Sequence, residues 1–162
     1  MKKQGGKTIY FYSWKNDYFE FSNFSYHSIV IEGKAYATNE HYFQSMKFLP
    51  SVMIEVEDDR EISYQEHVRL AHTPAIAKTL GSNRGYKIYP DWDSRRIDVM
   101  REAVRAKFTQ HSDLRELLQS TGDAVLVEDS PYDYFWGCGK RKTGKNMLGK
   151  ILMEVREEIR DG

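Results

Sequence analysis

Along residues 94–110 the apolar positions Ile97, Met100, Val104 and Phe108 recur at three- and four-residue spacing, the signature of a helix with one buried stripe. A second stripe, Leu148, Ile151, Leu152, Val155 and Ile159, predicts a final helix led in by residues 144–146. Shorter helices are bounded by their caps. Thr73-Pro74 is a cap followed by an N1 proline, opening a helix that Gly81 ends, and Ser112 caps another over 113–119 before Gly122. Residues 67–72 also read as helical. β-Branched and aromatic runs predict strands at 8–12, at 28–32 with a turn at Gly33, and at 124–128. Residues 84–89 fit a loop or strand. The segment 51–66 is poorly periodic and crowds Glu55, Glu57, Asp58, Asp59 and Glu61, which predicts a solvated face or irregular stretch. No repeat, low-complexity tract or linker interrupts these elements. The expected class is α+β, a helix-rich single domain with a small β-sheet, spanning 8–162 behind a flexible N-terminus at 1–7.

One predicted helix departs from the amphipathic pattern. The run 38–48 opens with Thr38 or Asn39 as N-cap, carries Glu40 in its first turn, and extends to about Leu49, where Pro50 stops it. At about 100° per residue, Glu40, Phe43, Gln44 and Lys47 share one face. An ordinary core-facing helix would place Leu, Ile or Val there. A carboxylate, an amide and an ammonium among aromatics fit either a half-solvated surface or the wall of a polar site, and the composition leans to the site.

Composition narrows the function classes. The chain has 162 residues, enough for a core without staples, and 24 basic residues balance 24 acidic ones. A dedicated nucleic-acid or membrane-surface binder would be clearly basic. The single cysteine, Cys138, excludes an internal disulfide framework and fits a reducing compartment. The basic start of the chain is followed by no apolar signal region, and no stretch is long enough to span a bilayer, so the expected location is the cytoplasm. The 11 Tyr, 8 Phe and 3 Trp suit a core and also a pocket that stacks planar ligands.

Several motifs bear on chemistry. The 5 histidines show no zinc-binding spacing, so neither a metal nor another cofactor is expected. No G-x-S-x-G occurs, and Cys138 has no readable partner. Residues 139–146 nearly spell a P-loop, but Asn146 stands where a magnesium-ligating hydroxyl belongs. Nucleotide hydrolysis is therefore not expected. The loop, with Lys145 among its four cations, reads equally as an anion cradle or as a solvated basic loop. Trp92, between Asp91 and Asp93, and Trp136, shortly after Asp133, stand in loop-like contexts that suit ligand lining as well as core-edge packing. Lys107 flanks the apolar stripe of the long helix. Desolvation would lower its pKa and make it a nucleophile or anion anchor, although a snorkelling stem is the commoner arrangement.

These features coincide with one pattern. Residues 21–24 (Phe-Ser-Asn-Phe), Gly33-Lys34, and Thr38-x-Glu40-His41-Tyr42-Phe43-Gln44-x-x-Lys47-Phe48 resemble the NADAR family, named for predicted links to NAD and ADP-ribose. Trp92, Arg96, Val99-Met100 and Ala106-Lys107-Phe108 look like its central helix. Leu126-Val127-Glu128, Asp133, Trp136-Gly137, Gly144-Lys145-Asn146-x-Leu148-Gly149, Leu152-Met153 and Arg156 look like its C-terminal signature. The likeness runs in order from about residue 8 to 160. It is nearest to the bacterial branch of N-glycosidases acting on riboflavin-pathway intermediates; other branches remove ADP-ribose from guanine in nucleic acid. The acidic segment 51–66 is longer than the resemblance leads one to expect, and would alter what fits if it covered the pocket mouth.

The resemblance implies cleavage of a ribosyl C1–N bond, releasing ribose 5-phosphate from an aminopyrimidine, as control of reactive metabolite damage. Oxocarbenium character at C1 calls for a fixed carboxylate, for which Glu40 is the candidate. Asp133 would hold a ribose hydroxyl or protonate the leaving base. Lys47 or Lys107 would form a transient imine, Trp92 and Trp136 would stack the base, and Asn23 or Gln44 would read polar edges. Arg84 and the loop carrying Lys145 and Asn146 would hold the 5′-phosphate. The expected partner is a small phosphoribosyl molecule, with no membrane and an oligomeric state left open. Two other readings stand beside this one: a guanine ADP-ribosyl hydrolase acting on nucleic acid, and a non-catalytic binder of ADP-ribose or NAD.

Overall fold

The computed structural model describes residues 7–161, so the expectation for the first six residues lies outside the described part. The architecture is α+β and helix-rich, as the periodicity predicts. The strands form three two-stranded ladders. Close contacts divide the chain into two compact units, one from the described parts of Met1–Ser25 and Val104–Gly162, the other Tyr26–Ala103.

The unit built from both ends of the chain contains β1 (Thr8–Phe11) and β6 (Val125–Glu128), paired in parallel with Ile9 opposite Leu126. Around this ladder lie the C-terminal part of the helix Trp92–Gln110 (α4), α5 (Ser112–Ser120) and α6 (Met147–Asp161). The α6 stripe Leu148, Ile151, Leu152, Val155 and Ile159 is buried as read. Phe21 is the centre of an edge-on aromatic series, its ring 5.8 Å from Phe11 and 5.7 Å from Phe108. Arg156, though charged, is buried because its Nη1 donates to Thr121 Oγ1 at 2.9 Å and to the Ala124 carbonyl at 2.8 Å.

The middle unit begins with β2 (Ile29–Ile31) and β3 (Lys34–Tyr36), joined through Glu32 and Gly33. Both turn residues have positive φ, 50° and 79°, which matches the twist of a two-residue hairpin. Next comes α1 (Asn39–Ser45), shorter than its sequence predicts. It stops well before Pro50 because the chain turns away to pair: Phe48 bridges Ile88, and the Tyr89 N–H donates to the Lys47 carbonyl at 2.9 Å. The segment 51–66 is not irregular. It folds as an antiparallel hairpin, β4 (Met53–Val56) and β5 (Arg60–Ser63), and continues into α2 (Tyr64–Arg69). Met53 and Glu55 point outward while Ile54 and Val56 are half-buried, a period-two pattern hidden by the acidic turn at 57–59. α3 (Pro74–Gly81) starts as predicted, with Thr73 Oγ1 accepting from the Ile76 N–H at 3.1 Å. Phe48, Tyr64, Val68 and Ala77 form the buried cluster under these elements, and the Tyr64 and Tyr86 rings stack at 4.0 Å. No helix among the described residues is long and apolar enough to cross a membrane.

Candidate functional site

α1 is buried along its whole length. Thr38 is its N-cap, with Oγ1 accepting from the His41 N–H at 3.2 Å. His41 ties the helix to α2's exit: its Nε2 lies 2.9 Å from the Ala71 carbonyl and its Nδ1 2.8 Å from Thr38 Oγ1. A carbonyl only accepts, so Nε2 carries the proton and Nδ1 accepts from the threonine hydroxyl. Burial pushes the His41 pKa down, which keeps this neutral tautomer in place.

One residue earlier, on a different face, Glu40 is only 7% exposed. Gln44, one turn on, donates from Nε2 to Glu40 Oε1 at 2.6 Å. Gln44 Oε1 accepts no hydrogen bond from the described residues. Its amide lies against Gly81, where even a methyl group would collide with it. Glycine at the end of α3 is therefore what lets the amide sit beside the carboxylate.

Lys47 follows the end of α1, its Nζ 3.4 Å from the Gly81 carbonyl and 5.8 Å from the centre of the Phe43 ring. Burial pushes its pKa down; Glu40 opposes that shift, and the cations of Arg84, Lys78 and Arg96 add to it. Trp92 is not a loop residue. It opens α4, is buried, and packs its ring 5.2 Å from Phe43. Arg84 is exposed in the turn after α3. The middle unit thus brings Glu40, Gln44, Lys47 and Arg84 into one polar group, with Phe43 and Trp92 packed together beside it. Lys78 and Arg96 belong to this group too. In the sequence Arg96 accompanies Trp92 in the family-like central helix without a site role, and Lys78 does not stand out, because the two come from separate elements. A groove of about 660 Å³ also lies in this unit, lined by residues of β4, β5, α2 and α3 including Val56, Ile62, His67 and Leu80, and by none of the predicted site residues.

The terminal unit uses its polar side chains differently. Lys107 does not snorkel: it is 1% exposed, and its Nζ donates to the Ser22 carbonyl at 2.9 Å and to Ser25 Oγ at 2.7 Å. Burial lowers its pKa to about 7, with Glu20 opposing. The turn it staples carries buried Asn23. Asp133 Oδ1 accepts from the N–H groups of Phe135 and Trp136 at 2.9 and 2.7 Å, which shapes the loop bearing half-buried Trp136. Asn146 Oδ1 accepts from Glu128 N–H and its Nδ2 donates to the Leu126 carbonyl, both at 2.9 Å, clasping β6. Lys145 is exposed, its Nζ 5.7 Å from the Phe135 ring centre.

The P-loop-like segment lacks the feature that makes such loops bind phosphate. The N–H groups of Gly144, Lys145, Asn146, Met147 and Leu148 donate to the carbonyls of Cys138, Tyr134, Gly137, Phe135 and Trp136. Amides that would cradle an anion at the start of α6 are thereby used inside the fold. Lys142 is paired with Asp129. Among the described residues, no group of three or more His, Cys, Asp and Glu side chains is arranged to hold a metal ion.

Comparison with known proteins gives a consistent result. The NADAR domain family matches residues 10–160. N-glycosidase Npun_R5314 of Nostoc punctiforme is 47% identical over 154 residues, covering 95% of this chain and 94% of that protein. The chloroplastic riboflavin biosynthesis protein PYRR of Zea mays is 38% identical over 161 residues, and the match covers 93% of this chain but 25% of that protein. The NMR structure of the E. coli protein YbiA superposes with a TM-score of 0.82 at 42% identity, covering 96% of this chain and 86% of that one.

Proposed function

This chain belongs to the NADAR domain family, and on that premise we propose that it is an N-glycosidase that hydrolyses the C1–N bond of ribosylaminopyrimidine 5′-phosphates. Water adds to C1, and the aminopyrimidine leaves carrying a proton, so the products are ribose 5-phosphate and the free amine. The carrying observation is the buried Glu40 carboxylate, held by Gln44 at 2.6 Å on a helix that His41 and Thr38 fix in place. As the C1–N bond lengthens, positive charge builds on the sugar, and a carboxylate already oriented stabilises it without reorganising. The substrate class is favoured by the likeness to a protein named for riboflavin biosynthesis. Removing such reactive ribosylamines would serve as damage control.

No hydrolytic step is assigned to Asn23, Asp133, Trp136, Lys145 or Asn146 in this reading. Lys107 is sealed from solvent and holds the Ser22–Ser25 turn, so no covalent step is assigned to it in this reading. Borohydride added during turnover tests it. Direct hydrolysis predicts no reduced adduct, while a sugar adduct on Lys107 would assign the covalent route.

The decisive experiment is a product assay. Purified protein is given the freshly prepared pyrimidine intermediate and, separately, ADP-ribosylated DNA. Release of ribose 5-phosphate from the first is expected, with loss of that activity in Glu40→Gln. Release of ADP-ribose from the DNA alone would replace this reading with the nucleic-acid one.

A further inference from the structure

Gly81 closes α3 without using the backbone freedom of glycine, since its φ lies outside the left-handed region. On helix propensity alone, alanine would serve better there. What the position does not admit is a side chain. A Cβ at residue 81 would lie 2.0 Å from Gln44 Oε1, 2.7 Å from Gln44 Cδ and 2.9 Å from Gln44 Cβ. The end of α3 is pinned by two neighbours. Tyr64 Oη donates to the Leu80 carbonyl at 2.8 Å, and Lys47 Nζ lies 3.4 Å from the Gly81 carbonyl. With α1 buried along its whole length and α3 held at its end, the two backbones have little room to separate. The part that can yield is the Gln44 amide, and turning it takes Nε2 off Glu40 Oε1, which it meets at 2.6 Å. Gln44 holds this pose although it is only 4% exposed and its Oε1 accepts no hydrogen bond from the described residues, which is costly for a buried amide. An amide that keeps its donor on a carboxylate while its own acceptor goes unused is placed for the carboxylate's sake.

We propose that Gly81 and Gln44 are positioning residues for Glu40: the bare Cα at residue 81 leaves room for the one amide pose that holds the carboxylate in a fixed direction. The inference rests on the reading above that Glu40 stabilises charge at the sugar's C1, and it assigns the aim of that carboxylate to a residue that acts through Gln44. A carboxylate turned away from C1 loses its stabilisation of the transition state while the groups that bind the rest of the substrate stay in place, so the effect falls on kcat.

The test uses the full chain with Gly81→Ala, Gln44→Ala, the double variant of these two, and Gly81→Ala added to Glu40→Gln. Melting temperature is measured for each, with kcat and KM on the ribosylaminopyrimidine 5′-phosphate. Gly81→Ala is expected to lower Tm and to lower kcat about tenfold, with KM changed less than about twofold. In Gln44→Ala the added methyl meets no amide, so Tm should hold level or rise while kcat stays as low as in Gln44→Ala alone. A merely structural role would instead bring kcat back with stability. In Glu40→Gln, Gly81→Ala should cause no further loss of kcat. A Gly81→Ala protein with wild-type kcat, a double variant whose kcat recovers, or a Tm loss undiminished in Gln44→Ala overturns the proposal. The amide contact is also read without turnover, by NMR of the Gln44 side-chain N–H: slow exchange with solvent in the wild type and fast exchange in Gly81→Ala. If no ribosylated substrate is turned over yet this pattern holds, the N-glycosidase reading fails and the positioning of Glu40 stands. If Glu40→Gln abolishes turnover while that N–H exchanges equally fast in wild type and Gly81→Ala, the reading stands and the positioning role falls.

Discussion

Both compact units carry lysine, arginine, amide and carboxylate side chains, yet use them differently. In the unit formed by both chain ends, Lys107 staples the Ser22–Ser25 turn, Asn146 clasps β6, Asp133 shapes a loop and Arg156 ties the start of β6 to the end of α5. Each of these groups meets a backbone partner. In the middle unit Gln44 keeps an unused acceptor beside the held Glu40 carboxylate, while Lys47 next to it reaches the Gly81 carbonyl. Polar residues that complete their own bonding hold a fold together; those that stop short of it are equipped for a ligand.

The strongest way to break this contrast is at Glu40. Glu40→Gln removes the charge and nearly preserves the shape, so kcat should fall about 10²–10³-fold with thermal stability close to wild type. A variant that keeps full turnover would move the chemistry elsewhere.

Next in size is Lys107, where the expected effect is on stability. Its pKa is about 7 in the folded protein against an ordinary value of 10.5. Below pH 7 both folded and unfolded chains are protonated there, and the burial penalty is fully present. Between 7 and 10.5 the unfolded chain holds the proton that the native one lacks, so stability rises with pH, by up to about 1.4 kcal/mol per unit. Lys107→Met should flatten that rise in urea denaturation at pH 7, 8 and 9; an unchanged slope would remove Lys107 from the structural group.

Asn146→Gly keeps the left-handed backbone (φ 51°) while leaving Glu128 N–H and the Leu126 carbonyl without their side-chain partners. A loss of about 2 kcal/mol in denaturant is expected, with KM for the phosphorylated substrate changed less than about twofold. The smallest effect belongs to Lys145→Ala, exposed in the glycine loop, which should alter KM by less than about twofold. A large KM increase there would assign substrate binding to the loop.

Much of the scaffold was legible because it depends on local signals. The stripes of α4 and α6, the Thr73-Pro74 start of α3 and the Gly33 turn are set by residues within a few positions of one another. The hairpin β4–β5 was missed because its acidic turn masks a short alternation, and α1 was overextended because the pairing of Phe48 with Ile88 is a long-range event. The polar face of α1 was visible in advance, since Glu40 and Gln44 are one turn apart. The burial of Lys107 was not, because its partners stand 85 and 82 residues away in the chain. The charge around Lys47 was illegible for the same reason: α3, the turn after it and α4 each contribute one cation.

The complete enclosure of α1 also has a dynamic consequence. A helix of seven residues with no exposed side has no fraying face, and its first turn is tethered through His41 to Ala71. Its amide protons should exchange with deuterium only when the surrounding elements open together, so that α1 reports the slowest opening of the middle unit. The glutamate proposed to act on the sugar would then ride on one of the most slowly exchanging segments of that unit.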